Sequence, residues 1–276
     1  MIGVKRLINL ESIYFSYGEE FIFQNFSLKL EEGKFYALLG KNGSGKSTLI
    51  KLILGIEKIK EGNITINKLN MKDNLFQCRK NIGVVFQNPD EQLVTDIVEE
   101  EIAFSMENYG YPSNLMEKKI QELLKEIDFH NNSDKKISKL SGGEKQRLCI
   151  ASAMALSPKI LILDEGTSML DPINRKIILN LLKKINEKGV TIILVTHHLD
   201  ELEFCNEVIY LEKNKIKFKG PKDDFNSLLI KNDLSQGIDL TPMLKVARSI
   251  YKRKGIDVSQ DVFDLQKMGE HLWNSL

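Results

Sequence analysis

The run Gly40-Lys41-Asn42-Gly43-Ser44-Gly45-Lys46-Ser47 constrains this chain more than any other stretch. It matches G-x-x-x-x-G-K-[ST] at every fixed position. It also lies between a buried apolar run, FYALL (35–39), and an apolar helical pattern starting near Ser47. Strand, glycine-rich loop and helix in that order make a cradle for phosphate. Gly40, Gly43 and Gly45 let the backbone curl so that successive N–H groups point inward. The following helix adds its positive end. Lys46 offers a point charge to the β- and γ-phosphates and Ser47 a hydroxyl to Mg²⁺. Asn42, Ser44 and Thr48 complete the candidate ATP-binding set.

A second apolar run, KILIL (159–163), ends on Asp164-Glu165. A carboxylate at the end of a neighbouring parallel strand is placed to reach the cation, mostly through water. Asp164 takes that role, and Glu165, one residue on, is the candidate general base that polarises an attacking water.

Two further buried runs, NIGVVF (81–86) and VTIILV (190–195), join these. Ile173, Ile177, Ile178, Leu181, Leu182 and Ile185 follow helical spacing between the last two strands. The expectation is an α/β fold on a mainly parallel sheet. Residues 90–150 read as a helical insertion, with one amphipathic stripe through Met116, Ile120, Leu123, Leu124 and Ile127. After Gly220-Pro221 the chain turns polar, with helical stripes over 242–253 and 260–273. The domain expectation is therefore 1–220 and a small, mainly helical C-terminal domain over 221–276.

Composition narrows the function. Lys+Arg total 39 against Asp+Glu 38, so the basic surplus of a dedicated nucleic-acid binder is missing. Cys78, Cys149 and Cys205 form no CxxC pair, which fits a reducing compartment better than a disulfide framework or a thiolate zinc site. No run reaches the roughly 18 apolar residues of a spanning helix, and MIGVKRLINLE lacks a signal peptide's apolar core. The expectation is a cytoplasmic protein; for it to work at a membrane, something else must hold it there.

Leu140-Ser141-Gly142-Gly143-Glu144-Lys145-Gln146-Arg147 is a second anion-binding element: a hydroxyl and free N–H groups leading into a helix. One chain thus carries two half-sites for phosphate, which two chains closing face to face would each complete for the other. LSGGEKQR resembles the signature motif of the ABC ATPases, a branch of the P-loop NTPases, and further motifs of that family follow in order. Tyr17 resembles the aromatic residue that stacks on adenine. Gln87 resembles the Q-loop glutamine, also a cation ligand. Ser168-Met169-Leu170-Asp171 resembles the D-loop, and His197 the switch histidine that meets the γ-phosphate. The resemblance spans about residues 5–220. It implies a RecA-like nucleotide-binding core with a helical subdomain, MgATP as substrate, and two ATPs sandwiched in a head-to-tail dimer. Ser141, Gly142, Gly143 and Glu144 would then act on the ATP of the other subunit. His198, His130, His271 and Cys149 read as packing residues.

The stretch FQNPDEQL (86–93) with VTDIVEEEIAFSMENYG, and the tail from Gly237 to Leu272, resemble the ATPases of energy-coupling factor (ECF) transporters. That likeness implies an importer motor for a vitamin or a cobalt or nickel ion, peripheral on the cytoplasmic face of the cell membrane. Its partners would be a second, related ATPase (a heterodimer before a homodimer), a transmembrane scaffold subunit and a substrate-binding membrane subunit. Asp90, Glu91, Glu99, Glu100 and Glu101 are the candidate acceptors for arginines of the scaffold. Gly166, where the family often has Pro, and Glu144, where many relatives have Gln, are the two departures. The alternatives are the motor of another ABC importer or exporter, a soluble ABC ATPase acting on ribosomes or DNA, and a P-loop nucleotide kinase.

Overall fold

A computed structural model describes residues 5–129, 131–231 and 238–273; His130 lies outside the described residues. In chain order the elements begin with β1 (Arg6–Tyr17), β2 (Glu20–Glu31), β3 (Phe35–Gly40) and α1 (Lys46–Ile53). Next come β4 (Glu61–Ile66), β5 (Leu69–Asn70), α2 (Leu75–Lys80) and β6 (Ile82–Val85). Three helices follow, α3 (Val98–Asn108), α4 (Ser113–Glu126) and α5 (Gly142–Met154), with no strand among them in the described residues. The chain then runs through β7 (Ile160–Asp164), α6 (Pro172–Glu187), β8 (Thr191–Val195), β9 (Glu207–Glu212) and β10 (Lys215–Pro221). It closes with α7 (Lys222–Lys231), α8 (Pro242–Lys254) and α9 (Leu265–Trp273).

The main sheet has the order β10-β9-β3-β8-β7-β6 and is parallel except where β10 returns along β9. Its central strands are apolar on both sides, as strands covered on two faces must be. Alternate residues enter different cores. Phe35, Ala37, Leu161, Leu163, Ile192 and Leu194 face the helical side, with α3 to α6. Tyr36, Leu38, Ile160, Ile162, Ile193 and Val195 face α1 and the second sheet. Each such buried Val, Leu, Ile or Phe side chain contributes about 1.5–3 kcal/mol relative to leaving it in water.

That second sheet is antiparallel, in the order β2-β1-β4-β5. The sequence reading, which found only the both-face-buried runs, missed it, along with β9 and β10. β2 alternates buried and exposed residues over much of its length, and β10 alternates partly buried and exposed ones. Such half-wet strands carry a weaker apolar signal than FYALL or KILIL.

The helical patterns have two exceptions. Met116 and Ile120 of α4 pack on the core beside buried Leu123, Leu124 and Ile127. In α6, Ile178, Leu181, Leu182 and Ile185 are buried, but Ile173 and Ile177 at its start are exposed and belong to no core. The described C-terminal residues do not build a core apart: Phe225 and Leu229 of α7, Leu244 and Ile250 of α8 and Val262 in the turn before α9 join the cluster on the helical side of the main sheet. The apolar interior therefore runs across Gly220-Pro221. Among the described residues no helix is long and apolar enough to cross a membrane, and all three cysteines are buried and unpaired.

One close approach ties the helical region to the sheet. A Cβ on Gly83 of β6 would sit 2.5 Å from the carbonyl oxygen of Ala153 near the end of α5, so only glycine lets strand and helix meet there. Gly83→Val is expected to lower stability by about 1–3 kcal/mol through overpacking, read from the midpoint of denaturant unfolding; an unchanged midpoint would mean that α5 shifts freely.

Candidate nucleotide-hydrolysis site

Register decides what meets at the carboxyl edge of the main sheet. Leu38 of β3 and Asp164 of β7 both pair with Val195 of β8, and Val85 of β6 pairs with Leu163. The loops opening at Gly40, Asp164, Thr196 and Phe86 therefore start level with one another, the place where open parallel sheets bind ligands.

The phosphate loop leaves β3 at Gly40. A Cβ there would lie 2.5 Å from the Leu211 carbonyl oxygen and 2.4 Å from Ser44 Oγ, so the loop turns back on itself against β9. Gly45, at φ 96°, caps α1 in the left-handed region, under the ring of Phe23. The Lys46 side chain is buried beneath the loop, its Nζ donating to the carbonyls of Gly40 (2.7 Å) and Lys41 (3.2 Å). Burial pushes its pKa below the lysine range, against the pull of Glu165 and Asp164. Asp164 is its mirror image: burial, then Glu165, raise the carboxyl, and Lys46 opposes them. Ser44 Oγ is buried without a hydrogen-bond partner. A buried ammonium and an unsatisfied hydroxyl beneath a cradle of backbone N–H groups fit a polyphosphate. Asn42, Gly43 and Ser47 are exposed beside them, with Thr48 half-buried.

Glu165 adopts φ 54°, a left-handed conformation that costs a non-glycine residue about 1–3 kcal/mol. Its neighbours hold it there. Its N–H donates to Val195 O (3.1 Å), and its carbonyl accepts from Ser168 N–H (3.0 Å) and Ser168 Oγ (2.8 Å). Gln87 Nε2 donates in turn to Ser168 Oγ at 3.2 Å. Gln87, Ser168 and the backbone carbonyl of Glu165 thus form one hydrogen-bonded chain that fixes the turn carrying the Glu165 side chain. Ser168 was legible only as part of the D-loop match. Gln146 is a second such case: buried in α5, it donates to Phe86 O (3.2 Å), and a Cβ on Gly166 would stand 2.9 Å from its Nε2. Glycine at 166 suits that close approach.

His197 is exposed, its ring centroid 4.2 Å from that of His198. With Gly40 and Lys41 it lines a cavity of about 340 Å³. Tyr17, at the end of β1, is 43% exposed and meets Phe15 edge-to-face at 4.9 Å, leaving a ring face available for stacking.

The signature residues hold to a different set of partners. Ser141 caps α5 through a capping box: its Oγ accepts from Glu144 N–H (3.3 Å) and its N–H donates to Glu144 Oε2 (2.7 Å). The Ser141 N–H and Lys135, 3.1 Å away, hold the Glu144 carboxyl below its usual range, which explains an acid at this place. A Cβ on Gly143 would stand 2.3 Å from Asn174 Oδ1. Asp171 caps α6, accepting from the N–H groups of Ile173 (3.0 Å) and Asn174 (3.1 Å). Signature and D-loop helices therefore start against each other.

The acidic docking candidates separate. Glu100 is exposed and Glu99 half-buried. Asp90 pairs with Lys145 of α5 at 2.5 Å, and Glu91 accepts from Asn88 Nδ2 at 2.8 Å. Glu101 is a correction. It is 3% exposed, and its Oε2 accepts from the N–H groups of Val94 and Thr95, both at 3.0 Å, and from Thr95 Oγ1 at 3.1 Å. Three donors inside the chain use its charge, so it is not presented to a partner. Helical position alone did not separate it from Glu99 and Glu100.

Comparison with known proteins agrees with this geometry. The ABC transporter family pattern matches residues 23–168. The energy-coupling factor transporter ATP-binding protein EcfA1 of Ligilactobacillus salivarius is 40% identical over 272 residues, 96% of this chain and 95% of that protein. Its counterpart in Caldanaerobacter subterraneus is 34% identical over 96% of this chain and 98% of its own length. Among solved structures, cbiO1 of Clostridium perfringens, described as part of the ABC transporter complex cbiONQ, superposes with a TM-score of 0.77 at 28% identity. The match covers 98% of this chain and 99% of that one. An ATP-binding cassette solved as a dimer with ADP and phosphate after hydrolysis gives 0.67 at 30% identity, over 78% of this chain and 98% of that one. The chain is an ATPase of the ABC transporter family. Within that family it belongs with the energy-coupling factor transporter ATP-binding proteins.

Because burial works against the charge of Lys46, Lys46→Met is expected to leave folding stability unchanged or raised. Loss of a charged phosphate contact weakens ATP binding roughly ten- to hundredfold. Titration with ATP beside a thermal melt checks both; unweakened ATP binding would remove Lys46 from the site.

Proposed function

We propose that this chain is the motor of an ECF-type importer, turning ATP hydrolysis into uptake of a vitamin or a cobalt or nickel ion through membrane partners. It works on the cytoplasmic face as a peripheral subunit. The observation that carries the hydrolytic half is the Gln87–Ser168–Glu165 chain, set level with the phosphate loop by strand register. The likeness over nearly the whole chain to energy-coupling factor ATP-binding proteins supports the transport half.

Tyr17 stacks on adenine. The backbone of 40–46 wraps the phosphates, with Lys46 beneath the β- and γ-groups. The oxygen donors of Ser47, Gln87 and Asp164 suit a hard cation, and among the described residues no cluster of three or more His, Cys, Asp or Glu competes with them. Mg²⁺ bound there supplies charge neutralisation at the β- and γ-oxygens. Glu165 polarises the attacking water, and His197 meets the γ-phosphate from the neighbouring strand end. Ser141, Gly142, Gly143 and Glu144 complete the site of a partner ATPase, a related chain before a second copy, and Asp171 joins the interface. Exposed Met169 within the D-loop match and Ile173 just after it provide apolar surface for that contact. Asp90, Glu91, Glu99 and Glu100 receive basic side chains of the membrane scaffold, and residues 221–276 help hold the ATPase pair together.

Glu165→Gln keeps the shape of the base and removes its basicity. Turnover is expected to fall roughly 100-fold or more while ATP stays bound. Gel filtration of this variant with ATP is expected to show a shift to a dimer or larger assembly. Near-normal turnover would show that Glu165 is not the base.

A further inference from the structure

Among the described residues, the most deeply buried carboxyl has no part in the scheme above. Glu201 lies in a 3-10 turn (Leu199–Phe204), four residues after His197, with 0% of its surface exposed. The Thr196 hydroxyl, from the end of β8, and the Thr167 hydroxyl, two residues after Glu165, both work to hold its carboxyl down against burial. Arg175 Nε, in the first turn of α6, stands 3.7 Å from Glu201 Oε1, and Arg175 Nη2 donates to Leu170 O of the D-loop at 3.4 Å. Three segments that shape the hydrolysis site thus converge on one carboxylate: the switch strand end, the loop after the candidate base, and the D-loop helix.

The contacts are loose. Neither Glu201 oxygen completes a directed hydrogen bond, and Arg175 Nε completes none. Burial pushes the Glu201 carboxyl up, and the two threonines and Arg175 pull it back. A fully buried carboxylate recovers its desolvation only where its partners close on it, and Arg175 Nε stands back at 3.7 Å. A group with several near partners on separate segments can instead tighten when those segments move together, and closure on ATP is such a movement.

We propose that Glu201 and Arg175 are positioning residues for hydrolysis, a buried pair that locks the Thr196–His197 segment to the Glu165–Asp171 loop. The proposal rests on the roles given to Glu165 and His197. Neither residue of the pair touches nucleotide: Glu201 acts through Thr196 and Thr167, and Arg175 through the Leu170 carbonyl. No sequence signal marks the pair, since Glu201 sits in the polar run DELE and Arg175 in NRK.

The test uses the full chain in the complex extracted from its membrane, in four forms: wild type, Glu201→Gln, Arg175→Met and the double variant, with Arg175→Lys as the conservative control. Steady-state ATPase, ATP affinity and thermal midpoint are measured for each. Each single variant is expected to lose roughly tenfold or more in kcat with KM for ATP nearly unchanged, and Arg175→Lys to recover part of the loss. The double variant leaves no unpaired buried charge, so its thermal midpoint recovers while its kcat stays as low as the worse single variant. Recovery of kcat together with the midpoint would reduce the pair to a structural ion pair and overturn the proposal. So would folded single variants within about twofold of wild-type kcat. If a single variant fails to fold, the double variant decides alone. Glu165→Gln run in parallel separates the two readings: full turnover there refutes the assignment of the base, whereas its loss beside active Glu201→Gln refutes only the pair.

Discussion

Parallel pairing of β3, β8, β7 and β6 is the constraint on which the rest of this molecule depends. Val195 is paired on both sides, with Leu38 and with Asp164, and Val85 is paired with Leu163. A slip of one residue in any of these ladders would exchange the faces of a whole strand. Leu161 and Leu163 would leave the helical core for the α1 side, and Ile160 and Ile162 would do the reverse. Two different cores thus enforce the register, and the register brings the phosphate loop, Asp164-Glu165, His197 and Gln87 to one edge.

At that edge the chain holds charge and strain that a purely structural sheet end would avoid. Lys46 is buried at some cost to its charged form, Asp164 likewise, and each opposes the other's shift. Glu165 is bent into a left-handed conformation and held by Val195 and Ser168. Strain kept in place by surrounding hydrogen bonds suits the aimed role proposed for Glu165. The signature helix is built otherwise. Ser141 and Glu144 satisfy each other, Lys135 neutralises the acid, and Gly143 lets α5 meet α6. One surface of the chain is thus shaped to cradle phosphate, while a second, self-capped helix end is suited to meet the phosphate held by another subunit.

The phosphate loop and the capped start of α5 could be read without coordinates because curling a backbone and capping a helix need particular residues in fixed order; Asp164-Glu165 stood out as acids ending an apolar run, and Gln87 only through the family resemblance. The strands buried on both faces were legible too, because FYALL and KILIL are continuous apolar runs. The antiparallel sheet escaped because β2 wets one side, so its apolar residues are diluted by Glu20, Asn25 and Lys29. Glu101 was misjudged because its helix also carries exposed acids, and only tertiary packing turns it toward Val94 and Thr95. Glu201 and Arg175 escaped entirely: their meeting joins residues of two separate elements, and neither lies in a run with a distinctive pattern.

What the hydrolysis drives is the claim that reaches furthest from the coordinates, and one measurement meets it directly. The tagged chain is extracted with its native membrane in mild detergent, and the co-purifying proteins are identified and their stoichiometry measured. The expected result is a related ABC ATPase in equal amount, together with a membrane-spanning scaffold and small solute-binding membrane proteins. Recovery with ribosomes or nucleic acid, or recovery alone, would leave the nucleotide site intact and contradict the assignment of that site to membrane transport.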